Sequence, residues 1–141
     1  MEECKETELY IPSVLGCEKT AMDFVASVAK KTGLADERIE DLKTAVSEAC
    51  LNAIEHGNKL NASTKVGVSI TVDGSRLQVD VQDEGKGVGQ IVPPNIEDMI
   101  EKGERPRGWG IFLIRNLVDE LEFKADSDGG NVVRMIIHLE R

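Results

Sequence analysis

Glu48, Asn52 and His56 recur at every fourth position. In a helix that spacing puts them on one face, and at about 100° per residue Glu55 falls close to the same line. A carboxylate and a carboxamide side by side are oxygen ligands of the kind Mg²⁺ accepts; the polar face of an ordinary amphipathic helix accounts for the same residues. A second cluster is Asp83-Glu84-Gly85-Lys86-Gly87. It follows Leu77, Val79 and Val81, and the same parity turns Asp83 toward the core. A carboxylate aimed there is costly unless it meets a donor. Adenine's amino group is such a donor, whereas guanine presents a carbonyl at that place, and glycines let a backbone approach a flat ligand. A plain loop with Asp83 capping a turn is the other reading. The third cluster is Arg105-Pro106-Arg107-Gly108-Trp109-Gly110-Ile111. Glycines ahead of a helix expose N–H groups that attract anions together with the helix dipole, and two arginines add permanent charge; a flexible hinge has the same composition. Neither a Gly-x-x-x-x-Gly-Lys-Ser/Thr nor a Gly-x-Gly-x-x-Gly motif is present.

The elements that must carry these clusters follow from periodicity. Residues 7–11 alternate as a short strand ended by Pro12, and Ala21, Phe24, Val25, Val28 and Ala29 predict a helix stopped by Gly33. Residues 36–56 predict one long amphipathic helix. Asp36 is its expected N-cap, Ile39, Leu42, Val46, Ala49, Ala53 and Ile54 its apolar stripe, and a left-handed Gly57 its stop. Val66, Val68, Ile70 and Val72, an Asp73-Gly74 turn, then Leu77, Val79 and Val81 predict a hairpin. Between Val88 and Arg107 the pattern breaks into glycine, proline and charge, and a connection that long is usually functional. Gly110 opens a last helix through Ile111, Ile114, Val118 and Leu121. Residues 122–125, a turn at Asp128-Gly129-Gly130, and alternating Val133, Met135, Ile137 and Leu139 close the chain as β-structure. The expected class is α+β: a two-layer sandwich with helices on one face of a mixed, mostly antiparallel sheet, in one domain over 1–141.

Composition narrows the partners. Among 141 residues, 17 Lys+Arg stand against 26 Asp+Glu, a net charge of −9, which argues against direct nucleic-acid binding or an anionic membrane surface. At 40% hydrophobic and 30% charged the chain is expected to be globular. It has no apolar run of the roughly 20 residues needed to span a bilayer, and its charged first residues lack a secretory pattern, so a cytoplasmic location is expected. Cys4, Cys17 and Cys50, with His56 and His138 the only histidines, are too few and scattered for a disulfide framework or a zinc site. Cys50, inside an apolar helical pattern, is expected as a small buried thiol.

Taken in order, the clusters resemble a known family. Glu48-Ala49-Cys50-Leu51-Asn52-Ala53-Ile54-Glu55-His56-Gly57 resembles the N-box of GHKL-type ATP-binding domains, 83–87 is similar to their first glycine box, and Gly108-Trp109-Gly110-Ile111 to their second. The Glu-x-x-x-Asn-Ala-x-x-His-Gly version resembles that of bacterial anti-sigma-factor serine-protein kinases, and the likeness runs over about 7–139. It implies that Asn52 ligates a Mg²⁺ bridging the phosphates of ATP and that Glu48 is general base toward a protein hydroxyl. Asp83 would bind the adenine amine with Gly85 and Gly87 beside the ring. Residues 88–107 would form a lid over ATP, and Gly108 and Gly110, beside Arg105 and Arg107, would hold phosphate. The resemblance further implies a serine or threonine of an anti-sigma-factor antagonist as substrate, a sigma factor as partner, and often a homodimer. Where the family often has Gly-Thr-Thr, with a hydroxyl supporting the adenine-binding Asp, this chain has Gly130-Asn131-Val132; alternation points Asn131 inward, its amide standing in for the hydroxyl. Trp109 replaces a smaller apolar residue. A non-catalytic, ATP-gated module that sequesters a partner is the alternative. A sensor histidine kinase is disfavoured by Glu48 paired with the downstream His56-Gly57.

Overall fold

The computed structural model describes residues 5–85, 109–125 and 129–139. The elements are β1 (Lys5–Pro12), α1 (Glu18–Lys31), α2 (Asp36–Asn52), a π-helical turn (Ala53–Gly57), β2 (Lys65–Val72), β3 (Arg76–Gln82), α3 (Trp109–Leu117), β4 (Glu120–Ala125) and β5 (Asn131–His138). The strands form one sheet in the order β1-β2-β3-β5-β4. Every neighbouring pair is antiparallel, with Ile11 opposite Val66, Val68 opposite Val81, Val79 opposite Met135 and Leu121 opposite Met135 from the other side. No parallel pairing occurs among the described residues, so the sheet is antiparallel rather than mixed.

Alternation decides which face is covered. Val66, Val68 and Ile70 of β2, Leu77, Val79 and Val81 of β3, and Val133, Met135 and Ile137 of β5 are all buried. They meet Ala21, Val25 and Ala29 of α1, Leu42, Val46, Ala49 and Cys50 of α2, and Ile111 and Ile114 of α3 in one core. Burying each large aliphatic chain contributes about 1.5–3 kcal/mol. The second helix packs between the other two, which makes it the axis of the helical layer. The result is the expected two-layer α+β sandwich. Among the described residues no helix is long and apolar enough to cross a membrane.

Local details differ from the periodic expectation for identifiable reasons. Ala35, in an extended conformation, is the N-cap of α2, and no side chain caps it; Asp36 and Glu37 instead occupy the first turn, where negative charge favours the helix dipole. The helix expected to reach His56 changes hydrogen bonding after Asn52: Asn58 N–H reaches back five residues to the Ala53 carbonyl at 2.8 Å. The left-handed residues that turn the chain are Lys59 and Leu60, at φ 50° and 59°, not Gly57. The β2–β3 turn is centred one residue later than Asp73-Gly74, because the Asp73 carboxylate accepts from the N–H groups of Ser75 and Arg76 at 2.8 and 2.9 Å. Leu121, expected at the end of the last helix, belongs to β4: α3 stops at Leu117, and Asp119 N–H already bonds the Ile136 carbonyl.

Burial has one direct chemical consequence. Cys50 is fully enclosed, and desolvation, with the nearby Glu18 carboxylate adding to it, pushes its thiol up from 9.0 to about 12. Above the unfolded-state value the unfolded chain loses this proton while the folded chain keeps it, so stability falls as pH rises from 9 toward 12. The urea midpoint of the wild type is expected to drop more steeply than that of Cys50→Ala over that interval. Parallel slopes would contradict the burial assignment.

Candidate functional site

Glu48 and Asn52 leave the last two turns of α2 from one face, and α3 packs on that side of the helix. The meeting point is Gly110. A Cβ there would stand 2.9 Å from Glu48 Oε2 and 3.0 Å from Asn52 Nδ2, so glycine lets the first turn of α3 lie directly against both polar groups, and a side chain there would displace their ends. The two helices run antiparallel and are joined at the far end as well. Arg38, near the start of α2, donates from Nη1 to the Leu117 carbonyl at 3.1 Å and to Asp41 Oδ2 at 2.9 Å, and from Nη2 to Asp119 Oδ1 at 3.1 Å. The guanidinium thereby satisfies an open carbonyl at the C-terminus of α3 and sets that helix along α2. At the other end Trp109 stacks on Phe112, ring centres 5.5 Å apart, which stiffens the first turn.

Asn52 Nδ2 is buried and has no hydrogen-bond partner among the described residues. An amide left so costs about 1–3 kcal/mol, and a half-turn of the group exchanges its N–H₂ and its oxygen. The same position can therefore present a donor to a phosphate or an oxygen to a cation. No set of three or more His, Cys, Asp or Glu side chains gathers as a metal cage among the described residues. A divalent ion here would rest on Asn52 together with oxygens of the ligand and water, the way Mg²⁺ is ordinarily held beside nucleotide phosphates. The donor set thus fits a magnesium–nucleotide complex.

The second half of the site is built around Asp83, just beyond β3 and only 6% exposed. Its Oδ1 accepts from the N–H groups of Gly85 at 2.8 Å and Asn131 at 3.0 Å, while its own N–H donates to the Asn131 carbonyl at 3.0 Å. Two glycines make room for it, and a third lets the neighbouring loops meet. A Cβ on Gly57 would lie 2.1 Å from Asp83 Oδ2, one on Gly130 would lie 2.1 Å from the Asp83 carbonyl oxygen, and one on Gly85, at φ +72°, would strike the Gly129 carbonyl. The π turn explains how Gly57 arrives there. One extra residue in the turn carries the chain from the end of α2 to contact with the end of β3.

The structure therefore brings Glu48, Asn52 and Gly110 together and gathers Asp83, Gly85 and Asn131 at the end of β3. Asn131 supports Asp83 through its main chain, because β5 continues the ladder past Gln82 opposite Val132; the support expected from its side-chain amide is supplied by the backbone. His56 lies in the π turn that follows α2. Gly87, Arg105, Arg107, Gly108 and the segment 88–107 lie outside the described residues. Sequence reasoning missed the packing roles of Gly57 and Gly130, which it read only as a helix stop and a turn. It also missed the buried side chain of Asn58 beside them. No periodicity marks such close approaches; the one available signal was that glycines recur next to each polar cluster.

With this geometry in view, the chain was compared with known proteins. A family profile described as "Histidine kinase-like ATPase domain" matches residues 12–137. A serine-protein kinase RsbW of Bacillus licheniformis is 36% identical over 126 residues, covering 83% of this chain and 75% of the relative. An anti-sigma F factor of a Thermoanaerobacter species is 34% identical over 140 residues, covering 96% of this chain and 94% of the relative. In three dimensions, the crystal structure of the RsbU and RsbW domains of a Mycobacterium tuberculosis protein superposes with a TM-score of 0.66 at 20% identity. That match covers 96% of this chain but 33% of the larger protein, and it speaks for the fold. On the profile and the close relatives, the chain belongs to the histidine kinase-like ATPase domain family.

Proposed function

We propose that the chain is an ATP-dependent serine/threonine-protein kinase that acts as an anti-sigma factor and phosphorylates an anti-sigma-factor antagonist. The observation that carries this reading is the convergence of Glu48 and Asn52 on the glycine that opens α3, with the fixed carboxylate of Asp83 held against Gly57 where the π turn ends. Relatives named as serine-protein kinases and anti-sigma factors support the same class.

In this reading each group has a distinct task. Asp83 Oδ2, on the side away from the two N–H groups that hold Oδ1, accepts the adenine amine and repels the carbonyl of guanine. A polyanion gains nothing at long range from a chain of net charge −9, so local donors must bind the phosphates: the N–H groups opening α3, with Gly108, Arg105 and Arg107 contributing beside it. Asn52 would hold the magnesium ion through its amide oxygen. Mg²⁺, when bound, offsets phosphate charge and orients the group to be transferred. Glu48, one helical turn before Asn52, would accept the proton of the substrate hydroxyl as the hydroxyl oxygen bonds to the γ-phosphorus of ATP and the bond from that phosphorus to the ADP oxygen breaks, ADP leaving. Gly87 and the segment 88–107 would cover the nucleotide and exclude water. The substrate would be a serine or threonine of the antagonist, and the sequestered partner a sigma factor, whose basic surface an acidic chain would match.

Two variants separate these tasks. Glu48→Gln is expected to bind Mg-ATP as the wild type does and to transfer radiolabelled phosphate to the antagonist about 10²–10⁴-fold more slowly; transfer at the wild-type rate would remove Glu48 as the base. Asp83→Asn turns an acceptor partly into a donor, and ATP affinity in calorimetry is expected to fall roughly 10–100-fold, with no effect if adenine is read elsewhere. ATP that binds but is never consumed in the presence of the antagonist would identify a sequestering module in place of a kinase.

A further inference from the structure

Asn58 directly follows the π turn and is completely buried, although it belongs to neither polar cluster. Its hydrogen-bonding capacity is used on three separate segments. Nδ2 donates to Ser13 Oγ in the loop after β1 and to the Lys65 carbonyl at the start of β2, both at 3.0 Å, while Oδ1 accepts from Glu84 N–H at 2.8 Å. The orientation of the amide is unambiguous, since a main-chain N–H requires the oxygen and a carbonyl requires the nitrogen. Ser13 Oγ continues the chain to Thr64 Oγ1 at 2.9 Å, which donates to the Asn61 carbonyl at 2.6 Å. A fully satisfied buried network of this kind resists distortion.

Its point of attachment is what matters. The peptide before Asp83 is held by the Asn131 carbonyl, through Asp83 N–H; the peptide after Asp83 is held by Asn58, through Glu84 N–H. The backbone on both sides of the carboxylate is thus clamped, from β5 on one side and from the end of α2 on the other. Glu84 adds a tie of its own, its Oε2 accepting from Lys65 N–H. Without Asn58, the Asp83–Glu84 peptide would lose its main-chain tie, and Gly85 N–H, which follows it and is one of the two donors on Oδ1, would shift with it, so the whole carboxylate, Oδ2 included, would lose its fixed direction.

We infer that Asn58 is a positioning residue for base recognition: it aims the Asp83 carboxylate and thereby sets the preference for adenine over guanine nucleotides. This rests on the proposal that Asp83 reads the base. A purely structural role would lower stability without altering that preference. The test is calorimetry on the full chain with Mg-ATP and Mg-GTP. In Asn58→Ala, ATP affinity is expected to fall about tenfold and GTP affinity less than about twofold, so their ratio shrinks. Val46→Ala, a cavity variant in the middle of α2, is expected to lower the thermal midpoint and leave the ratio unchanged. A folded Asn58→Ala with the wild-type ratio overturns the inference. Amide exchange on the wild type provides the second measurement should that variant not fold: Glu84 N–H must be protected comparably to Val81 N–H, and free exchange overturns the inference. Failure of the wild type to bind ATP refutes the proposed function itself, whereas a wild type that binds ATP beside an unaltered variant ratio refutes only the role of Asn58.

Discussion

A carboxylate at the end of a central strand, almost wholly removed from water, constrains everything around it. Left without donors Asp83 would be among the most destabilising groups in the protein. The fold answers with two main-chain N–H groups on one oxygen and with Gly57, whose missing side chain leaves room for the carboxylate. A leucine at the same position would need no such donors. Gly57 is therefore a consequence of the acid, whereas Gly130 and Gly85 relieve main-chain contacts, with the Asp83 carbonyl and the Gly129 carbonyl.

The helical layer fixes how far that acid stands from the other polar groups. Within eleven residues the end of α2 and its π turn deliver Glu48, Asn52, Gly57 and Asn58, so the two halves of the site share one piece of backbone. Because α2 is packed between α1 and α3, and is joined to α3 by Gly110 at one end and Arg38 at the other, the separation of the two halves is a property of the core. The sheet order contributes the rest. Placing β5 between β3 and β4 brings Asn131 beside Asp83, which no connection between sequential neighbours would do.

Much of this was legible in the residues. Alternation in 66–72, 77–81 and 133–139 located three strands and their buried face, and the parity of Leu77, Val79 and Val81 correctly turned Asp83 inward. Spacing of four placed Glu48 and Asn52 together because that stretch is a regular helix. The change to a π turn after Asn52 was not legible, because hydrogen bonding to the fifth residue leaves no trace in an apolar pattern. Turns were harder for a related reason: at Asp73 and at Lys59-Leu60 the deciding factor is a particular hydrogen bond or backbone angle. Close packing was hardest of all. That Gly57 faces Asp83 and that Asn58 reaches Glu84 depends on which strand lies beside the helix end, which is long-range information.

The central claim is that the groups gathered around α2 hold an adenine nucleotide. Titration calorimetry of the wild-type chain with ATP, with and without Mg²⁺, tests it most directly. Saturable one-site association with ATP that strengthens when magnesium is present, with a much weaker response to GTP, is expected. Absence of any heat with saturating ATP and magnesium, or equal affinity for the two nucleotides, would contradict it.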